Sequence, residues 1–222
     1  MHQYLKAIGF ENIQTRKDLK KLLKEVEENF THQTIVSYRP GEDFCEFQKE
    51  FGQDVGITLC GELDDKEHFE AAYYFPYFEG SGVTTYAEID VQRKIEKEQY
   101  VGLCEDSKIG ISLIFTLQNG VEYMREKQAG LAKDMQTSVT FSGLAQGGMI
   151  LLPVNKNEQQ ILNEKRASDT RKELMNAARK GDQAAIETLT FDICVPADSV
   201  MGEPEIGRRF KGTIWLQGYI NF

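Results

Sequence analysis

The chain is poor in the residues that most often carry chemistry. Across 222 residues it has three histidines, His2, His32 and His68, and they are scattered. Its four cysteines, Cys45, Cys60, Cys104 and Cys194, form no C-x-x-C pair, and none has a histidine at ligand spacing. That excludes a zinc motif. The glycine-rich stretch Ser142–Gly148 lacks the pattern of a phosphate-binding loop. Gly80-Ser81-Gly82 is not a nucleophile elbow, because Phe78 stands where the first glycine would be. No metal site and no cofactor is expected.

Long apolar runs are also missing. None reaches the roughly 18 residues of a membrane-spanning helix. Met1-His2-Gln3 opens with neither a basic nor an apolar segment, so no secretory signal is read there. Four buried free thiols in a reduced, cytoplasmic setting are the expectation.

Charge is present but uneven. The net charge is −9, yet residues 42–106 hold 17 Asp/Glu against 5 Lys/Arg, a balance of −12 that leaves the rest at +3. Such an acidic block argues against broad contact with nucleic acid or anionic lipid.

Hydrophobic patterning places the elements. Thr15 to Asp18 resembles a capping box, and Leu19, Leu22, Leu23 and Val26 form the apolar stripe of a helix. The period then becomes two, giving strands at Thr34–Ser37, Asp43–Phe51, Val55–Leu63, Phe69–Phe78 and Val83–Val91, the last two as a hairpin. The run Lys108–Gln118 organises the chain. Ile109, Ile111, Leu113, Phe115 and Leu117 share one side, with Ile114 on the other, and both faces are expected to be buried. Val121–Ala132 reads as a helix, Ser138–Phe141 and Met149–Val154 as strands, and Asn157–Leu189 as a helix–turn–helix. Thr190 leaves almost no room between that helix and the strand at Phe191–Val195; either the helix frays at Ile186 or, the favoured reading, a segment is omitted near Thr190–Phe191. Arg208–Phe222 alternates throughout as one long strand.

Two constellations are candidates for function. Arg209, Lys211, Trp215 and Tyr219 fall on one face of the terminal strand, as on the stacking surface of an oligonucleotide-binding barrel. Glu79, Glu88 and Asp90 flank the expected hairpin and are the carboxylates an enzyme could use.

The chain resembles a family of uncharacterised bacterial proteins from Clostridia and relatives, a domain of unknown function. The matching strings are Tyr4–Phe10, Pro76–Gly82, Gly110–Phe115, Ala177–Asp182, Gly202-Glu-Pro204 and Ile214–Gly218. The resemblance implies additional sequence ahead of the final strands. It implies no activity, cofactor or catalytic residue.

The expected architecture is α+β: an antiparallel sheet domain with packed helices over residues 1–155, a helical hairpin over 156–190 and a small C-terminal β module over 191–222. The expected role is a non-enzymatic cytoplasmic binding or scaffolding module for a protein or small ligand. The alternatives are a carboxylate-dependent enzyme and nucleic-acid binding through the terminal strand.

Overall fold

The computed structural model describes residues 2–39, 42–64, 66, 68–81, 84–93, 99–106, 111–130, 137–153, 191–205 and 208–222. A short 3-10 turn (Leu5–Ile8) closes at Gly9, whose φ of 92° needs a residue without Cβ. Helix α1 (Arg16–Glu28) begins on the capping box read from sequence. The Thr15 hydroxyl accepts the Asp18 amide, and the Asp18 carboxylate accepts the Thr15 amide.

Four strands then pair as an antiparallel meander: β1 (His32–Arg39), β2 (Glu42–Gly52), β3 (Val55–Asp64) and β4 (Phe69–Phe78). Each connection is short enough to fix its neighbours, and Asp54 takes the left-handed turn between β2 and β3. This sheet is covered on both faces. On one, Cys45, Phe47, Ile57 and Leu59 pack against Leu5 and Ile8 and against Leu22 and Val26 of α1. On the other, Phe44, Cys60, Phe75 and Tyr77 pack against Val121 and Met124 of helix α2 (Gly120–Gln128).

The second sheet rolls up. It uses β5 (Thr84–Arg93), β6 (Tyr100–Asp106), β7 (Ile111–Leu117), β8 (Thr137–Ala145) and β13 (Ile214–Asn221). β5 pairs with β6 through its second half and with β8 through its first, which closes a five-stranded barrel. Counted from β5, the strands lie in the order first, second, third, fifth, fourth. The third–fifth pair, β7–β13, is parallel, and α2 lies between third and fourth. This is the Greek-key connectivity of the oligonucleotide-binding type of barrel. Ile89, Phe115, Leu117, Val139, Phe141 and Ile220 fill it. The Phe115 ring is clamped by backbone: a Cβ at Gly102 or Gly218 would come within 2.2 or 2.4 Å of it.

Between β8 and β13, strands β9 (Gly148–Leu151), β11 (Val200–Met201) and β12 (Arg209–Lys211) form a small third sheet. β10 (Asp192–Cys194) lies parallel to β8 on the barrel edge.

Several expectations are overturned. The α+β architecture gives way to a mainly β one. Among the described residues, strands of three sheets dominate and only two α-helices occur. The C-terminal strand does not form a small module of its own. β13 pairs with β7 and β8 inside the barrel, because parallel closure is a long-range choice that local periodicity does not encode. Arg208–Phe222 is not one strand. It bends at Gly212, where a Cβ would meet the Phe210 ring at 2.7 Å. β4 and β5 do not pair as a hairpin, since the chain crosses from one sheet to the other between them. The expected helical hairpin at 156–190 and the Thr190 junction lie outside the described residues.

Candidate interaction face

The barrel and the first sheet meet through buried amides. Gln217 is fully buried; its Nε2 donates to the Pro76 carbonyl at 2.8 Å, and its Oε1 accepts the Phe78 amide at 3.2 Å. Asn119 holds the start of α2 to β13, donating to the Ile220 carbonyl at 2.9 Å and accepting its amide at 3.1 Å. Trp215 lies in the same seam. Its ring stacks on Tyr4 at 5.4 Å, meets Phe75 edge-on at 6.4 Å, and its Nε1 donates to Thr116 Oγ1 at 3.0 Å.

β7 leaves that seam within two residues. Thr116 is buried beneath Trp215, whereas Ile114, on the same side of the strand, is 71% exposed. The expectation that both faces of this run are buried fails at Ile114. An apolar run marks a strand, but it does not say how far the opposing layer extends. Leu103 stands opposite Ile114 on β6 and is half-buried; Asp90 stands opposite Leu103 on β5 and is exposed. Asp90, Leu103 and Ile114 therefore form a cross-strand row on the open outer face of β5–β6–β7. In barrels of this connectivity, the face of the second and third strands is where ligands bind.

Of the carboxylate candidates, Glu79 is set apart from Asp90, since β4 and β5 belong to different sheets. Asp90 is on this row, where its carboxylate accepts Gln92 Nε2 at 3.0 Å. Glu88 is opposite Glu105 in register, and its side chain lies outside the described residues. Glu79 follows β4 on the other sheet. Partial burial pushes its pKa upward, as do the negative charges of Glu50 and Asp54.

The cationic candidates divide as well. Trp215 is in the seam, and the Tyr219 hydroxyl donates to Glu122 Oε2 at 2.9 Å. Arg209 and Lys211 sit on β12, in the small sheet, exposed. There Lys211 stands opposite Met149, which stands opposite Met201. Both methionines are exposed, at 39% and 62%.

Sequence reasoning missed a buried carboxyl. Glu46 is 2% exposed on β2, on the face shared with Phe44. Its Oε1 accepts Gln48 Nε2 at 3.1 Å, and its Oε2 lies 3.9 Å from Cys60 Sγ. Burial pushes its pKa up to about 8, opposed by the Val121 amide at the start of α2 and reinforced by the charge of Glu122. Burial also drives the Cys60 thiol well above its ordinary value. The signal was available: one glutamate inside the otherwise apolar Phe44–Phe47. No cleft opens onto it among the clefts described. The largest of those, about 630 Å³, lies by the N-terminal turn, where Lys6 donates to Ser199 Oγ at 3.0 Å and faces Glu11 and Asp198.

A family profile described as "Domain of unknown function, E. rectale Gene description (DUF3881)" matches residues 5–192 and 188–218. The chain belongs to the DUF3881 family. The expectation of an uncharacterised Clostridia family therefore holds, since E. rectale is a member of Clostridia. The two DUF3881 matches overlap at residues 188–192. No curated protein and no solved structure matches the chain. Among the described residues, no helix is long and apolar enough to cross a membrane, and no cluster of His, Cys, Asp and Glu is arranged to hold a metal ion.

Proposed function

We propose that this protein is a non-enzymatic cytoplasmic binding module, and that the outer face of β5–β6–β7 docks a basic, apolar segment of a partner protein. The carrying observation is Ile114, 71% exposed in the middle of a strand, in a row with Leu103 and Asp90. A large apolar side chain held open on a rigid sheet, beside a carboxylate, suits docking of an apolar segment bearing a cation. The thiols of Cys45, Cys60 and Cys194 are free, in keeping with a reducing compartment.

The other two roles have less behind them. Acid–base catalysis needs carboxylates converging in a pocket, and Asp90 stands in open water while Glu79 lies on the other sheet. Stacking of bases needs open aromatics beside the cations; Trp215 is packed between Tyr4 and Phe75, and Tyr219, though exposed, is bonded to Glu122 on a different sheet from Arg209 and Lys211.

The test is a titration with two synthetic peptides, one alternating lysine and leucine and one alternating glutamate and leucine. The wild type is expected to bind the lysine peptide, with Ile114→Ser weakening it about tenfold. Equal affinity for both peptides, or no effect of Ile114→Ser, contradicts the proposal.

A further inference from the structure

Two rows on this molecule have the same construction and opposite charge. On the barrel, Asp90, Leu103 and Ile114 run across β5, β6 and β7. On the small sheet, Lys211, Met149 and Met201 run across β12, β9 and β11. Each row crosses three paired strands, so each spans about 10 Å. Each carries two apolar side chains and one charge, and the charge is at the end. The inner side of the small sheet is already occupied: a Cβ at Gly148 would come within 2.4 Å of the Phe210 ring. Its methionine side faces outward, with Arg209 exposed on the same strand as Lys211.

The charge distribution favours matching these rows. The segment that supplies Asp90 and Leu103, residues 42–106, is strongly acidic, while Arg209 and Lys211 come from outside it. Methionine adapts its shape to a partner surface, which suits a contact against branched Ile114 and Leu103. Face-to-face apposition would set Lys211 of one copy against Asp90 of the next, and Met149 and Met201 against Leu103 and Ile114.

Resting on the docking role given above to the barrel face, we propose that its partner is a second copy of this chain, presenting the Lys211–Met149–Met201 row. The two rows differ, so a single contact leaves one row of each kind free at the ends of an assembly, unless a two-fold axis pairs both rows at once. Without that axis the contact propagates head to tail unless the rotation closes a ring. The rows are small against the roughly 800 Å² per side of a standard interface. The association is therefore weak, and grows as protein concentration rises.

The experiment is sedimentation velocity on the full chain from low micromolar to near-millimolar concentration. The wild type, Asp90→Lys, Lys211→Asp and an equimolar mixture of the two variants are compared, with circular dichroism confirming that each is folded. The wild type is expected to sediment as growing species. Each single reversal is expected to weaken association by about tenfold or more. The mixture is expected to restore it, because the lysine introduced on the barrel of one variant then meets the aspartate introduced on the small sheet of the other. A wild type that stays monomeric throughout overturns the proposal, as does a mixture no more associated than its components. A monomeric wild type that still binds the lysine–leucine peptide through Ile114 leaves the docking face standing and removes only the second copy. Loss of both removes the two together.

Discussion

Gln118 Nε2 donates to Gln217 Oε1 at 3.0 Å, in the buried seam where β7 and β13 meet in parallel. The same Gln118 amide donates to the Phe78 carbonyl at 2.8 Å, so two side chains from the barrel tie down the end of β4. Replacing Gln217 with leucine removes the side-chain partner of the Pro76 carbonyl and of the Phe78 amide, and one of the three acceptors of Gln118. The expected cost is about 2–4 kcal/mol. Gln118→Leu should cost less than that, and the double variant less than the sum, because each single change already removes the Gln118–Gln217 bond they share. Urea denaturation of the four proteins checks this.

Glu46 should make stability depend on pH across the neutral range. The folded carboxyl keeps its proton up to about pH 8, against an ordinary value of 4.5. Between those values the folded state binds more protons than the unfolded one. Stability is therefore full below 4.5 and lost as pH rises through 8, by on the order of 5 kcal/mol. The groups around Glu46 come from several elements: Gln48 on β2, Cys60 on β3, Tyr77 on β4, Glu122 on α2 and Tyr219 on β13. Glu46→Gln should flatten the slope while keeping the fold. Denaturation midpoints measured from acid to mildly alkaline pH test it; an unchanged slope in the variant counts against the assignment.

Gly102 should tolerate no side chain. A Cβ there would lie 2.2 Å from Phe115 Cζ, and Phe115 is trapped from the other side by Gly218. Gly102→Ala is expected to cost about 1–3 kcal/mol through overpacking. Adding Phe115→Leu should recover part of the loss, so that the pair costs less than its separate effects. Thermal unfolding of the single and double variants provides the comparison.

What could be read along the chain was whatever neighbouring residues decide. The Thr15–Asp18 capping box and the six aromatics of Phe69–Phe78 located α1 and β4, because caps and alternation are local. Closure of the barrel was not legible. The parallel contact of Gln217 and Gly218 with Thr116 and Leu117 joins residues about a hundred positions apart, and nothing in either stretch names the other. The same gap misplaced the two faces. An apolar run predicts a covered Ile114, yet the layer that buries Thr116 stops at Trp215. Arg209 and Lys211 shared a parity with Trp215, but the bend at Gly212 sends them to another sheet. Glu46 is not legible as buried, because one charge inside an apolar strand usually marks its wet face, and β2 has none at that point.

The open face around Ile114 is tested most directly by mapping amide chemical shifts on the labelled protein as the lysine–leucine peptide is added. The proposed role predicts shifts concentrated at Asp90, Leu103 and Ile114, with Thr116 and the Trp215 seam unmoved. Shifts scattered over the surface, or gathered at the cleft beside Lys6, would contradict it.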